Sequence, residues 1–453
     1  MKTQGKDLTK GPLFSGIITY TIPIILTGIL QLLFNAADLV VVGNFCGGVS
    51  VAAVGATGSL TTLFVNLFLG LSVGAGVAVA HAIGEEDDDE VHRLVHTAVP
   101  LSIAVGFTVM ILGLFFSEKF LIIMGTPDNV LPLSAVYMRI YFAGMIFNML
   151  YNFCASILRA AGDTKSPLYF LLISGVANVL FNIVFVTVFH MDVAGVALAT
   201  TISQAISAIL VLITLMKRTD ACRFIPAKMC FYGYEISKML RIGVPAGVQS
   251  TVFAISNVLI QSSINSFGDV FMSGSAAAGS VEGFVYTAQN AFHQTAVNYV
   301  GQNTGARNYK RVKQTLYACM ILVTAVGILL AVAIYIFRVP LLSLYIKDSP
   351  QAIRDGIVKL QYVCLPYFLC GLMEVTSGAL RGMGRSFTSM VISVVGVCGI
   401  RIGWILTVFA VYHTPQMLLV SYPISWIVTF AVQLFVFLKV FKHVSTDQQS
   451  ILR

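Results

Sequence analysis

The chain has 453 residues, of which 57% are hydrophobic and only 11% are charged. Soluble domains carry about 25% charged residues, so this composition excludes a cytosolic enzyme, a disordered chain and a disulfide scaffold. It indicates an integral membrane protein, and the net charge of +8 fits basic loops on the cytoplasmic side of a membrane. The eight scattered cysteines contain no CxxC pair and predict no metal site.

Twelve apolar stretches are each long enough to cross the roughly 30 Å hydrocarbon core of a bilayer as a helix. The alternation typical of a membrane barrel is absent, so the fold class is an all-α polytopic membrane protein. The first stretch is too long for a removable signal peptide. The predicted spans are 14–42, 50–80, 93–116, 131–158, 167–189, 193–216, 240–266, 274–300, 312–337, 355–380, 386–410 and 416–440.

The distribution of Lys and Arg predicts the orientation of the spans. One set of connecting segments, which includes both chain termini, carries 21 of these residues, and the opposite set carries six. Basic residues favour the cytoplasmic side, so we expect both termini in the cytoplasm and a multi-pass protein of the inner (cytoplasmic) cell membrane. The acidic run 85–90 lies on the same side and is interpreted as a solvated loop.

The longest polar stretch divides the chain into two halves of six spans that resemble each other weakly. Pro23 and Pro245 lie 222 residues apart, and so do the segments 158–162 and 380–384. We also pair Gly84 with Gly301 at the junction of the second and third spans. Because six is even, both halves enter the membrane in the same direction, which predicts two six-helix bundles related by a pseudo-twofold axis along the membrane normal. The predicted domains are 1–216 and 240–453, joined by a cytoplasmic linker, 217–239.

A carboxylic acid lies deep in the first span. Asp38 follows Gln31 by seven residues and Asn35 by three, so the three share one helix face. A charged group at mid-bilayer costs roughly 2.5–3.5 kcal/mol on insertion scales, so such residues usually face the protein interior and serve function. Asp38 could exchange a proton, or bind sodium with nearby amide oxygens, or only fix helix packing through hydrogen bonds.

Further polar residues lie within the later spans. Gln249, Asn257, Gln261 and Asn265 share one face of the seventh span, where they could line a substrate path or join helices. The other intramembrane charges are Glu282, Glu374 and Arg401. We expect Glu374 and Arg401 to form a structural charge pair and Glu282 to attract cationic substrates. His293 is more typical of a hydrogen-bonded structural histidine than of a proton shuttle.

Four segments together resemble one known family. They are the VGQNTGA element at 300–306, the Gln31, Asn35, Asp38 and Gly43 series, the turn 159–163, and AGVALAT at 194–200. With twelve spans in two halves, they are similar to the multidrug and toxic compound extrusion (MATE) family over nearly the whole chain. The resemblance implies a cation-coupled antiporter that exports organic cations and amphipathic drugs.

The resemblance also implies roles for particular residues. In the family, the positions of Asp38, Asn178, Asn182 and Thr200 form a cation or proton site in the N-terminal half. Some branches have Asp where this chain has Asn182, which weakens a sodium site and leaves the coupling ion open. Straight and bent forms of the first helix accompany substrate release in the family, so Pro23 is a candidate bending point; a static kink is the alternative.

The function predicted from the sequence is therefore multidrug efflux by alternating access. We expect no cofactor besides the coupling proton or sodium ion, no enzymatic activity, no nucleic-acid partner and a monomer in the bilayer. Gln31, Asn35, Gln249, Asn257 and Glu282 are the candidate substrate-cavity residues. A lipid-linked precursor flippase of a related fold is the alternative, although only Arg401 is basic well inside a span. An intramembrane transferase would need clustered His and Asp motifs, and none is convincing.

Overall fold

The computed structural model describes residues 5–346 and 349–451, and the secondary structure of this part of the chain is helical. All twelve predicted spans are present, which confirms the fold class. Two of them are bent pairs of helices. In chain order the helices are α1 Leu13–Phe45, α2 Gly48–Gly84, α3 Asp88–Ile123, α4 Leu131–Ala143 with Met145–Ala160, α5 Lys165–Val188, α6 Asp192–Lys217, α7 Gly233–Asn265, α8 Asp269–Gly305, α9 Tyr309–Ile336, α10 Pro350–Cys364 with Tyr367–Gly382, α11 Ser386–Phe409 and α12 Pro415–Ile451.

The bends and the polar content of the helices follow from their sequences. The two parts of α4 meet at 46° and those of α10 at 41°. Within the described ranges, nine helices are individually long and apolar enough to span a membrane, and each bent pair adds one. Helix α8 is the twelfth. It has 37 residues but carries many amide, hydroxyl and charged side chains, and those buried in protein include Gln289, Asn298, Gln302 and Asn303.

Two prolines mark where the chain passes between its two compact units. Unit 1 contains residues up to Asp7 and Ile22–Gly247, and unit 2 contains Leu8–Thr21 and the chain from Val248 onward. The unit therefore changes within three residues of Pro23 in α1 and of Pro245 in α7. Proline lacks the N–H of a helical hydrogen bond, so each helix is weakest near this passage. The predicted domains, 1–216 and 240–453, are defined by the ends of the spans, whereas the two units are defined by contacts between residues. The predicted boundaries therefore stay predictions.

Unit 1 incorporates the segment between α6 and α7. Cys222 and Phe224 are buried in its main hydrophobic cluster, and the His96 ring accepts a hydrogen bond from the Ile225 N–H at 2.9 Å. At the start of α7, Glu235 pairs with Arg93 of α3 at 2.7 Å. This segment is thus a packed part of unit 1.

Unit 2 has its own hydrophobic cores. The larger one joins α8, α9, α10 and α12 around the aromatic rings of Tyr367 and Trp426, whose centroids lie 5.1 Å apart. A smaller one joins the ends of α7 and α8 to α11 and α12 through Phe271 and Phe409. Helix α8 packs against both α9 and α10, which buries polar side chains such as Gln289 and Asn298 inside the unit.

The internal repeat is visible in the backbone. Gly47 precedes α2 with φ +91°, and Gly268 precedes α8 with φ +90°. Both helices have 37 residues, and they end at Gly84 and Gly305. The structural counterpart of Gly84 is therefore Gly305, and the pairing with Gly301 was wrong because two glycines lie close together in the VGQNTGA element.

Close packing of α2 against the start of α7 yields a first prediction. A Cβ added to Gly74 would lie 2.2 Å from the Met239 carbonyl oxygen. Gly74→Ala should therefore destabilise the protein by about 1–3 kcal/mol, the usual cost of overpacking. Thermal unfolding in detergent measures the loss. Gly55→Ala, on the same helix with no atom within 4 Å of the added carbon, is the matched control, and equal melting temperatures for the two variants would contradict the packing.

Candidate functional site

The residues proposed for the cation or proton site lie together in unit 1. The Asn182 amide of α5 donates to Oδ1 of Asp38 in α1 at 2.5 Å and to Oδ1 of Asn178 at 3.3 Å. Asn178 in turn donates to the Thr200 hydroxyl of α6 at 3.3 Å. A line of polar contacts thus connects three helices, because residues four apart on α5 share one face.

The surroundings of this cluster are apolar. Val41 and Val42 on α1 pack with Val186 on α5 and Val196 on α6 in one hydrophobic cluster. Asn182 is fully buried and Asn178 is nearly so, whereas Asp38 is half-buried. The carboxylate therefore lies at the edge of the cluster, where an ion can reach it from outside the protein interior.

Among the residues that the structure describes, Asp38 has no basic partner. None of the ion pairs formed by the described residues includes it, and its hydrogen-bond donor is the Asn182 amide. The other amide oxygen of the site, Asn182 Oδ1, is buried and accepts no hydrogen bond. A negative charge here is held by dipoles alone, so a positive ion or a proton is the natural partner.

The other proposed residues of α1 lie at the protein surface. The side chains of Gln31 and Asn35 are exposed, and so is that of Asn257 on α7. Exposed amides are available to bind a substrate, and the cavity role of these three residues stays a prediction. On α7, Gln261 donates to Asn265 at 2.9 Å, so two residues of the predicted polar stripe bind each other.

Gln249 was predicted to line a substrate cavity, but it lies in a buried network of unit 2 rather than at an open surface. Its side chain is 4% exposed and accepts a hydrogen bond from Arg381 at 2.8 Å. The same guanidinium approaches Nε2 of His293 at 3.4 Å. On the other side of the ring, Nδ1 lies 2.8 Å from the carbonyl oxygen and 3.2 Å from the carboxylate of Glu374.

The His293 ring connects the two charged side chains of this network. An arginine can only donate hydrogen bonds, so its contact favours the tautomer with the hydrogen on Nδ1, which then donates to Glu374. The carboxylate is balanced by the Arg381 charge, and all four side chains are buried.

The predicted pair between Glu374 and Arg401 is not formed. Arg401 donates from Nε to the Ser425 hydroxyl at 3.0 Å and stacks over the Tyr422 ring at 4.2 Å. Cation–π contact stabilises a guanidinium without a carboxylate. Glu374 takes its partners from α8 and from its own helix instead. The expectation that intramembrane charges pair with one another thus misses a cation–π contact and a buried histidine as partners.

Glu282 also differs from its expected role. One carboxylate oxygen lies 3.6 Å from Lys359 Nζ, which also donates to the Ser275 carbonyl at 3.1 Å. A carboxylate with a buried lysine beside it is partly neutralised, which argues against a primary site for cationic substrates. Its second oxygen, Oε1, is buried without a hydrogen-bond partner.

Two basic residues of these networks were missed by sequence reasoning. Lys359 lies near the start of the predicted span 355–380 and Arg381 directly after its end, and both are buried in the structure. The available signal was spacing, since Arg381 follows Glu374 by seven residues and thus lies on the same helix face.

Comparison with known proteins identifies the family. The MatE family model matches residues 23–184 and 245–405, which is more than half of the chain. The chain belongs to the MATE family of transporters. The two matched segments begin at Pro23 and Pro245, so the family pattern follows the internal repeat. The family resemblance read from the sequence is confirmed.

Relatives and solved structures agree with this membership. The chain is 28% identical over 399 residues to the probable multidrug resistance protein YpnP of Bacillus subtilis, covering 87% of this chain and 88% of that protein. Crystal structures described as MATE in the bent and in the straight conformation each match with a TM-score of 0.90 and 20% identity. They cover 99% and 98% of this chain, and 99% and 100% of their own.

The buried network of unit 2 yields the second prediction. Arg381→Met removes the charge that balances Glu374, and breaking a buried pair costs about 3–5 kcal/mol. Thermal unfolding in detergent should show a large loss of stability. Adding Glu374→Gln to Arg381→Met should restore part of the stability. The matched control is Arg385→Met on an exposed side chain of the following turn. A melting temperature for Arg381→Met equal to that control would contradict the network.

Proposed function

We propose that this MATE transporter is a proton-coupled antiporter that exports organic cations and amphipathic drugs by alternating access. The observation that carries the proposal is the Asp38 carboxylate, half-buried in a membrane-spanning helix with an amide rather than a base as its partner. A permanent basic partner would hold the charge in every state. An amide leaves the charge free to be neutralised and restored.

The Asn182 amide suits both protonation states of Asp38. It donates to the ionised carboxylate in the present arrangement. When Asp38 binds a proton, its O–H becomes a donor, and rotation of the amide by half a turn presents the unpaired oxygen Oδ1 as the acceptor. Asp38 therefore keeps a hydrogen bond to Asn182 in each state, and protonation changes the connection between α1 and α5.

The hydrogen bonds of the site favour a proton over sodium. Hard cations prefer several oxygen ligands. Here Asn178 Oδ1 accepts from Asn182, and Thr200 Oγ1 accepts from Asn178 while donating to Val196. Two of the candidate oxygens are thus occupied by protein hydrogens. The remaining free oxygens, on Asp38 and Asn182, are enough for a proton and few for a metal ion.

Pro23 connects this chemistry to a conformational change. It lies on the same helix as Asp38, and the chain passes from unit 2 to unit 1 between Thr21 and Ile22, next to this proline. Proton binding at Asp38 would bias α1 between straight and bent forms, the two conformations named for the solved MATE structures. A ligand can shift such an equilibrium only through its different affinity for the two states.

Substrates, location and assembly complete the proposal. The exposed amides of Gln31 and Asn35 in unit 1 would contact the drug, which enters from the cytoplasm or the inner leaflet. The asymmetry of basic residues supports the cytoplasmic membrane with both termini inside the cell. The transporter would act as a monomer and need no organic cofactor.

The third prediction tests the role of Asp38. Cells that express the chain should accumulate less of a cationic dye such as ethidium. Asp38→Asn keeps the size of the side chain but cannot release a proton, so dye accumulation should return to the level of cells without the protein. Asp128→Asn, at an exposed loop position, should behave as the unmodified chain. Normal efflux by Asp38→Asn, with equal amounts of protein in the membrane, would remove this residue from the mechanism.

The fourth prediction concerns the coupling ion. In proteoliposomes containing purified protein, a proton gradient should drive dye transport against its concentration, and a sodium gradient at equal pH should not. An ionophore that dissipates the pH difference should stop the transport. Transport driven by sodium alone would replace the proton in the proposal, and transport driven by neither gradient would overturn antiport.

A further inference from the structure

The VGQNTGA element does not take part in the Asp38 site, and its amide side chains have another partner. Gln302 accepts a hydrogen bond from the Leu8 backbone N–H at 3.0 Å, and Asn303 donates to the Leu8 carbonyl at 3.2 Å. Gln302 and Asn303 are buried, and Leu8 has no exposed surface. The element therefore binds the chain's own N-terminal segment. We name residues 5–11 the N-terminal strap.

A basic residue of α9 completes this binding site. The Arg311 guanidinium donates to the carbonyl oxygens of Lys10 at 2.9 Å and of Gly11 at 3.0 Å, and its Nε approaches that of Leu8 at 3.4 Å. All of these contacts are made to backbone atoms of the strap. They hold its path rather than any particular side chain.

The first residues of the strap are fastened elsewhere. Gly5 lies so close to the turn that follows α4 that an added Cβ would be 1.6 Å from the Ala161 carbonyl oxygen. A Cβ on Gly162 would meet the Lys6 backbone at 2.1 Å. Residues up to Asp7 belong to unit 1 and those from Leu8 to unit 2, so each end of the strap is held by a different unit.

We propose that the VGQNTGA element and Arg311 form a latch for the N-terminal strap, which releases and docks again in each transport cycle. The proposal rests on the function argued above, because alternating access moves one helix bundle of a carrier against the other. A strap of seven residues fastened at both ends resists that motion. Hydrogen bonds to the backbone are suited to repeated release, since each contributes modestly and water replaces it on opening.

Docking is tested by hydrogen–deuterium exchange mass spectrometry on the purified full chain. Gln302→Leu removes the acceptor of the Leu8 N–H, and exchange in peptides covering the strap should become about tenfold faster, which corresponds to the loss of about 1.4 kcal/mol of local stability. Arg311→Gln should have a similar effect. The matched control Lys310→Gln removes the same charge from the neighbouring exposed position and should leave exchange unchanged. Equal exchange in all variants would overturn the docking.

Release is tested by preventing it. Lys10→Cys and Lys310→Cys place two thiols on exposed positions on either side of the Arg311 contact. Accessible Cys46 and Cys230 are first replaced by Ser, and a flexible bis-maleimide then joins the new pair. Dye efflux should stop in the cross-linked protein and continue in each single-cysteine chain treated with the same reagent.

The outcomes separate this proposal from the proposed function. If the cross-linked protein transports as fast as the untreated one, the strap is a fixed anchor and the latch is wrong. If the unmodified chain itself shows no efflux, the proposed function fails, and release in a transport cycle fails with it. Docking is still decided by the exchange measurement alone.

Discussion

A lipid environment offers no hydrogen-bond partner and no counter-ion, and this constraint explains both the helical fold and the partners of the charged side chains. Backbone groups must be satisfied within helices. Side-chain charges must find partners inside the protein, because each unpaired charge costs several kcal/mol. Glu374 meets the requirement with Arg381 through the His293 ring, and Arg401 meets it with an aromatic ring and a hydroxyl. Asp38 meets it with an amide.

The internal repeat supplies the scaffold but not the chemistry. The two halves share their proline positions, the left-handed glycines before α2 and α8, and the lengths of those helices. The position 222 residues after Asp38 is Ile260, a buried apolar residue, and the position 222 residues before Glu374 is Asn152. Each half therefore carries its carboxylate at a place where the other is neutral. Of the two halves, one contains a polar network in which the carboxylate charge is balanced by an arginine, and the other contains a carboxylate that is paired with an amide.

Much of the fold could be predicted from the sequence because hydropathy and the bilayer determine it. The spans, their number and the repeat all depend on long-range composition, which survives errors of a few residues. The grouping of Asp38 with Asn178, Asn182 and Thr200 came from family resemblance, since spacing along one helix cannot say which other helix it contacts. The partners of Glu374 and Glu282 could not be predicted for the same reason. The burial of Arg381 and Lys359 could not be predicted either, because a residue near a span end can be buried or solvated.

The VGQNTGA element shows why a sequence motif and its role are separate questions. The element marks the family in the sequence, whereas in the structure its amides bind backbone atoms of Leu8, almost 300 positions earlier. No local pattern in residues 5–11 predicts that contact, because the hydrogen bonds are made to peptide groups, which every residue has. The motif can be recognised in the sequence, but its partner, the backbone of the N-terminal strap, cannot.

The difference between an amide and a base as the partner of a buried carboxylate is the step that gives the fold its proposed activity. A lysine or arginine stabilises only the ionised acid, so protonation would leave a buried cation alone at a cost of several kcal/mol. An asparagine has a donor and an acceptor on one rotatable group and serves the acid in both states. The energy difference between the states then stays small enough for a gradient across the membrane to reverse it. A site that must cycle is therefore expected to contain the weaker partner, while a site that must hold its shape contains the stronger one, as in the Arg381 network.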